Sequence, residues 1–111
     1  RANAAQLRAQ DREIEKSRRE KAWAVARAAA ELLRRDFHAS RVVVFGSLTR
    51  DGSFTKWSDV DIAAWGLDPK DTLRAIGAVM DMDASIDVNL VDIDTATPAL
   101  LESITRNGVE L

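Results

Sequence analysis

Residues 42–65, with the sequence VVVFGSLTRDGSFTKWSDVDIAAW, decide the fold that we expect for this chain of 111 residues. An apolar run ends directly at Gly46-Ser47, and a second apolar run begins at Val60. Short runs of β-branched residues that are bounded by glycine and polar residues are typical of strands. We therefore predict a buried strand over residues 41–45, a connecting loop over 49–58 around Asp51-Gly52, and a second strand over 59–65.

Asp59 and Asp61 stand at the start of the second predicted strand. Side chains alternate between the two faces of a strand, so these two carboxylates project from the same face. Two neighbouring carboxylates repel each other, and a hard cation such as Mg²⁺ relieves that repulsion. The backbone N–H groups of a glycine turn, here Gly46-Ser47, suit a phosphate group. Together these features indicate a site for a metal ion and a nucleotide.

Composition and charge narrow the class of protein further. The length predicts a single domain over residues 1–111, and the absence of cysteine excludes disulfides and thiolate metal sites. No apolar run has the length of a membrane span, and the first residues do not resemble a secretion signal, so we expect a cytoplasmic protein. Residues 1–36 carry a net charge of +4 and residues 37–111 a net charge of −6. An acidic body favours cation binding and argues against direct nucleic-acid binding.

Residues 3–36 are predicted to form one long N-terminal helix, since they contain neither proline nor glycine. From residue 22 onward, apolar residues recur at helical spacing and should pack on the core in two rows. These rows are Ala22, Val25, Ala29 and Leu32, and Trp23, Ala26, Ala30, Leu33 and Phe37. A helix of this length extends about 50 Å. We expect its first half to project, fray or dock on another chain, and a solvated arm is the alternative.

The remaining elements follow from capping residues and periodicity. Asp68-Pro69 should begin a helix that ends near residue 81, residues 85–92 should form a third strand, and Thr97-Pro98 should begin the last helix. We expect Leu73, Ile76, Ala78, Val79, Met80 and Met82 to share a buried face, and Leu100, Leu101 and Ile104 to be buried as well. Asn107-Gly108 should end the last helix in the left-handed conformation, before a short strand over 109–111. The order predicts an α/β (α+β) fold, a small mixed sheet flanked by helices.

Asp87 is a charged residue within the third predicted strand. Alternation separates it from Ile86 and Val88, which can pack into the core. If the third strand lies beside the second, Asp87 shares the face of Asp59 and Asp61. Three carboxylates on one surface would form a cradle for divalent cations.

These motifs resemble those of the DNA polymerase β-type nucleotidyltransferase superfamily. The resemblance rests on Gly46-Ser47, on Ser58-Asp59-Val60-Asp61-Ile62 and on Ile86-Asp87-Val88, in this order. The short chain resembles the minimal nucleotidyltransferases (MNT) in particular. The resemblance covers residues 41–111, the expected catalytic core, and implies a polymerase β-like nucleotidyltransferase fold.

The family's roles carry over to matching positions in this sequence. The resemblance implies that Gly46 and Ser47 hold the β- and γ-phosphates of a nucleotide, and Arg50 is a candidate phosphate contact, although a loop arginine is often simply solvated. It implies that Asp59 and Asp61 bind two Mg²⁺ ions. It also implies that Asp87 binds the catalytic metal and helps to deprotonate the acceptor.

The resemblance also implies a partner. Minimal nucleotidyltransferases often pair with a HEPN-type ribonuclease toxin, and several act as the antitoxin by attaching AMP from ATP to a tyrosine of that toxin. The basic N-terminal helix is then a candidate docking element. Two alternatives stay open at this stage: a binding module that neutralises the partner by occlusion, and an enzyme that modifies a small molecule such as an aminoglycoside.

Several other residues have two readings from sequence. Trp57 could stack on a base or take part in packing, and Trp65 could line the cleft or belong to the core. His38, the one histidine, is expected at a helix cap or on the surface. Asp92 and Asp94 follow the third strand and are expected to be solvated.

Overall fold

The computed structural model describes residues 4–50 and 53–111, so the predicted turn at Asp51-Gly52 lies outside the described residues. Three α-helices and four strands follow one another along these segments. The helices are α1 (Ala4–Phe37), α2 (Thr72–Met80) and α3 (Pro98–Asn107). The strands are β1 (Arg41–Phe45), β2 (Val60–Trp65), β3 (Val88–Asp92) and β4 (Val109–Glu110). Short 3-10 turns occupy Gly46–Thr49, Pro69–Asp71 and Ile93–Thr95.

The four strands form one mixed sheet in the order β3-β2-β1-β4. Strand β1 pairs antiparallel with both β2 and β4, whereas β2 and β3 run parallel. A parallel pair needs a crossover connection, and helix α2 supplies it. The mixed sheet, its flanking helices and the long N-terminal helix confirm the predicted α+β fold.

The helices cover both faces of the sheet. Helices α1 and α2 pack with the face that contains Val42, Val44, Val60, Ile62 and Val88, all of them fully buried. Helix α3 packs on the opposite face through Ile104, with Leu100 beside it. Helix α3 covers only part of that second face, and Asp59 and Asp61 lie at its uncovered end beside Asn89.

Helix α1 is continuous over 34 residues, and its burial changes along its length. Both predicted rows pack on the core from residue 22 onward, as predicted. Residues 9–17 are all exposed, including the large apolar side chain of Ile14. The helix ends where exposed His38 takes a positive φ of 58°. None of the helices in the described segments has the length and hydrophobicity of a membrane span.

Helix α2 buries a different face from the one predicted. Leu73 is 83% exposed and Met80 is 53% exposed, whereas Ala75 and Val79 are fully buried. The Asp68 side chain accepts the N–H of Lys70 and begins a 3-10 turn, so the α-helical spacing starts only at residue 72. Residues 75 and 79 then lie one above the other on the sheet side. The prediction that Leu73 and Met80 are buried was wrong.

Helix α3 begins as predicted but ends differently. The Thr97 hydroxyl accepts the N–H of Leu100, and Ile104 is buried while Leu101 is 40% exposed. Gly108 has φ −69° and ψ 142°, an extended conformation, so the predicted left-handed ending was wrong. Glycine is required here for space, since a Cβ would overlap the Ile104 carbonyl and lie 2.5 Å from Val43 Cγ1. The chain passes at once into β4, as the predicted final strand requires.

Strand β3 begins at Val88, three residues later than predicted. One carboxylate oxygen of Asp83 accepts the N–H groups of Ser85 and Ile86, at 2.8 Å and 3.1 Å, and holds this segment in a turn. Asp92, at the end of β3, is only 5% exposed, so its predicted solvation was wrong. It accepts the Thr72 hydroxyl at 3.0 Å and the N–H of Asp94, which is itself exposed.

Candidate functional site

The register of β2 and β3 places the acidic residues on one face of the sheet. Asp61 is directly beside Asn89, and the N–H of Val60 donates to the carbonyl of Asp87 at 2.9 Å. Val60 points into the core, so its neighbours Asp59 and Asp61 point to the opposite face. Asn89 projects from that same face of β3, where it contacts both carboxylates of β2. Asp87 is exposed directly before β3, at the same end of the sheet, and its convergence with the other two aspartates stays a prediction.

Asn89 links the two carboxylates of β2. Its side-chain amide nitrogen lies 3.3 Å from Asp59 Oδ2 and 3.2 Å from Asp61 Oδ1, and it donates a hydrogen bond to each. Sequence reasoning missed a role for Asn89. The signal was present, because Asn89 is two residues after Asp87 and shares its face.

Burial and charge both act on Asp61. Partial burial raises the pKa of the Asp61 carboxyl, and the negative charge of Asp59 raises that pKa further. The hydrogen bond from Asn89 lowers the same pKa without cancelling the rise. This carboxylate therefore lies in an environment that disfavours its charge, and a cation there would relieve it.

Gly46 brings the turn after β1 against Asp61. Its φ is +77°, and a Cβ at this position would lie 2.7 Å from Asp61 Oδ2. The turn is closed by the Thr49 hydroxyl, which donates to the Gly46 carbonyl at 3.0 Å. Ser47 is half-buried in this turn, and Arg50 is exposed where the turn ends. Glycine is therefore required both for the backbone conformation and for close approach to the carboxylate.

The donor set decides which metal site these residues can form. Within residues 4–50 and 53–111, no group of three or more His, Cys, Asp or Glu side chains is close enough to hold a metal ion. The role of Asp87 as a third ligand therefore stays a prediction. Asp59 and Asp61 remain as a pair of hard oxygen donors. Such a pair fits Mg²⁺, which commonly takes one or two carboxylates and completes its shell with water and phosphate.

The two tryptophans have different surroundings. Trp57 is 82% exposed, with the Lys56 ammonium 5.3 Å from its ring centroid. Trp65 packs against the α3 side of the core, and the Arg41 guanidinium is 4.4 Å from its ring centroid. Trp65 therefore takes part in packing, whereas Trp57 is available on the surface.

Comparison with known proteins identifies the family. The family model described as Polymerase beta, Nucleotidyltransferase matches residues 28–111 of this chain. The chain therefore belongs to the polymerase β-type nucleotidyltransferase family, with the strand, glycine-turn and aspartate arrangement described above. A comparison with curated proteins finds no match.

Solved toxin–antitoxin structures share the fold. One of them is the toxin–antitoxin MntA–HpeT with a tyrosine-to-alanine mutation. It is 26% identical in sequence with a TM-score of 0.61, and the alignment covers 77% of this chain and 69% of that chain. A toxin–antitoxin with AMP-PNP also has 26% identity and a TM-score of 0.61, covering 73% of this chain and 67% of that chain. The tri-AMPylated Shewanella oneidensis HEPN toxin in complex with MNT antitoxin has 22% identity and a TM-score of 0.59, covering 80% and 70%. These similarities confirm the resemblance to the minimal nucleotidyltransferases.

Proposed function

We propose that this chain is a Mg²⁺-dependent nucleotidyltransferase that transfers AMP from ATP to a tyrosine hydroxyl of a HEPN-type toxin, and thereby acts as the antitoxin. The observation that carries this proposal is the convergence of Asp59 and Asp61 beside the Gly46 turn. A phosphate-binding turn next to two carboxylates is the arrangement that a metal–nucleotide complex requires.

The structural neighbours support the choice of partner and of transferred group. One of them is described as a complex of an MNT antitoxin with a tri-AMPylated HEPN toxin, and another is a toxin–antitoxin with AMP-PNP. Both descriptions concern those proteins, and we extend them to this chain by similarity. The exposed first half of α1 is our candidate for the surface that docks the partner. A cytoplasmic location stays a prediction.

Mg²⁺ would be held by Asp59 and Asp61, and we propose Asp87 as a further ligand because strand alternation from buried Val88 would place it on the same face. When bound, the metal ions would neutralise phosphate charge and polarise the phosphoryl group. Their binding would also relieve the unfavourable charge of Asp61, whose pKa is raised by burial.

The chain's own residues would orient the two reactants. The backbone N–H groups of Gly46 and Ser47, with the Ser47 hydroxyl, bind the β- and γ-phosphates, and the Arg50 guanidinium adds a charged contact. The acceptor oxygen forms a bond to the α-phosphorus while the bond from that phosphorus to the bridging oxygen breaks. Pyrophosphate leaves, and the proton of the acceptor hydroxyl passes to Asp87 as general base.

The test uses the full chain with its partner toxin, Mg²⁺ and ATP labelled on the α-phosphate. We expect label on the toxin, and its loss by at least a hundredfold in Asp59→Asn or Asp61→Asn, since a metal ligand is removed in each. Asp94→Asn is the matched control, because Asp94 is an exposed aspartate away from the acidic face. Wild-type labelling in both site variants would contradict the assignment.

A second candidate function is neutralisation of the partner by occlusion, without transfer. It is favoured by one observation: in the described part of the chain, the carboxylates of the site are joined by an amide rather than gathered into a three-ligand cluster. Mass spectrometry of the co-purified partner separates the two functions. A mass increase of one or more AMP units supports transfer, whereas an unmodified and inactive partner supports occlusion.

A further inference from the structure

Residues 18–21 of α1 contact the two segments that lead into the acidic strands. The Arg18 guanidinium donates to the Ser85 carbonyl at 3.0 Å and to the Ser58 carbonyl at 3.5 Å. Lys21 Nζ donates to Ser85 Oγ at 2.8 Å. Ser58 directly precedes Asp59, and Ser85 lies two residues before Asp87. One guanidinium thus joins the approaches to both strands.

Arg19 makes the corresponding contact with the glycine turn. Its guanidinium donates to the Leu48 carbonyl at 3.5 Å, and Leu48 follows Ser47 directly. The Leu48 side chain is fully buried, so the turn is fixed from inside by packing and from α1 by this contact. Two consecutive arginines therefore reach all three segments from which the proposed site residues come.

Burial shows that these arginines do more than solubilise the helix. The Nε atoms of Arg18 and Arg19 are buried and have no hydrogen-bond partner in the part of the chain that the structure describes. Across residues 4–50 and 53–111, neither guanidinium lies within 4.0 Å of a carboxylate oxygen, and Arg18 instead lies 5.9 Å from the ring centroid of buried Phe54. Burying polar atoms of an arginine is unfavourable, and the hydrogen bonds to the three carbonyls offset part of that cost.

From these contacts we infer that Arg18 and Arg19 are positioning residues of the proposed transfer site: they hold the glycine turn and the approaches to β2 and β3 in register. The inference rests on the proposed function. Both residues precede residue 28, where the match to the family model begins.

The test compares Arg18→Met and Arg19→Met with Arg27→Met as the matched control. Methionine keeps an unbranched stem and helix propensity but lacks the donors, and Arg27 is exposed on the same helix, outside the half proposed to dock the partner. Transfer is measured per folded molecule, as kcat and KM for ATP, together with amide hydrogen exchange of residues 46–48 and 58–61. We expect kcat/KM to fall about tenfold or more in the two site variants, since small misplacements of reacting groups are costly. Exchange in both segments should become faster, and Arg27→Met should match wild type.

Arg18→Lys separates positioning from a simple need for positive charge. An ammonium group on a lysine stem is a point donor, whereas the guanidinium fork reaches two carbonyls at once. We expect Arg18→Lys to recover only part of the transfer rate and of the exchange protection.

The outcomes distinguish this inference from the proposed function. If Arg18→Met and Arg19→Met lower the melting temperature but leave kcat/KM and local exchange as in wild type, the positioning role is overturned. If the wild-type chain transfers no nucleotide, the proposed function fails by itself. The exchange experiment then still decides the structural claim: unchanged exchange in residues 46–48 and 58–61 overturns it, and faster exchange confined to those segments supports it.

Discussion

Gly46→Ala is the substitution for which the structure gives the sharpest expectation. Gly46 has φ +77°, a left-handed conformation that costs a residue with a Cβ about 1–2 kcal/mol. The new Cβ would lie 2.7 Å from Asp61 Oδ2, so that carboxylate must move by about 0.7 Å to reach ordinary contact distance. We expect the unfolding free energy to fall by about 1.5–3 kcal/mol, the backbone strain plus the contact with Asp61, which leaves a typical domain folded. The melting temperature should fall by roughly 6–13 °C.

The assay combines thermal unfolding with labelling of the partner, normalised to folded protein. Displacement of Asp61 should lower transfer at least tenfold beyond the loss of folded protein, since it disturbs a proposed metal ligand. Gly66→Ala is the matched control, because Gly66 has φ +82° and its new Cβ would lie 2.8 Å from Ser40 Oγ. Gly66 follows the other end of β2, so this variant should lose similar stability and keep its transfer rate.

A double-mutant cycle isolates the contact between Gly46 and Asp61. In an Asp61→Ala background the carboxylate is absent, so Gly46→Ala should cost less stability by about 0.5–1 kcal/mol, with only the backbone strain remaining. The reasoning is refuted if Gly46→Ala, like Gly66→Ala, transfers nucleotide at the wild-type rate. It is also refuted if the cycle shows no coupling.

Three further predictions concern stability. Asp61→Asn should raise the unfolding free energy at pH 7, because burial and the charge of Asp59 raise the native pKa of the Asp61 carboxyl. The wild type should lose stability as pH rises from the ordinary aspartate pKa of 3.8 through the raised native value, and the variant should not. Urea titrations from pH 3 to 8 measure this difference. Gly108→Ala should cost about 1–3 kcal/mol, since its Cβ overlaps the Ile104 carbonyl, and an unchanged urea midpoint would contradict that. Thr72→Val should lower the unfolding free energy by about 1–3 kcal/mol, because it removes the hydroxyl that donates to buried Asp92. A calorimetric melting temperature equal to that of wild type would contradict this and show that water replaces the hydroxyl.

Alternation along each strand was enough to predict which side chains share a face. It assigned Asp59 and Asp61 to one face of the sheet, and their shared contact with Asn89 shows this arrangement. The pairing register was not accessible in the same way, because it depends on how the α2 crossover places β3 beside β2. The contact of Asn89 with both carboxylates follows from that register, so sequence alone did not reveal it.

Two of the wrong predictions share one physical cause. Asn107-Gly108 has the local sequence of a left-handed helix end, and Asp92 has that of a solvated strand end. In each case a contact distant in sequence decides the outcome: β4 pairs with β1 directly after Gly108, which requires an extended backbone, and Thr72 provides Asp92 with a buried partner. Local patterns describe the chain's own preferences, and tertiary contacts override them.

The pKa of Asp61 shows what the acidic face lacks. Asn89 offers its amide N–H groups to both Asp59 and Asp61, which is the most that a neutral side chain can supply between two carboxylates. An amide carries only partial charge, so the hydrogen bond from Asn89 lowers the pKa of Asp61 only in part. Burial and the charge of Asp59 keep that pKa raised. If the two aspartates served only the stability of the fold, replacing one of them would be favourable. Asp59 and Asp61 lie beside the Gly46 turn, where a bound cation would compensate their charge. The proposed metal–nucleotide complex would supply that positive charge.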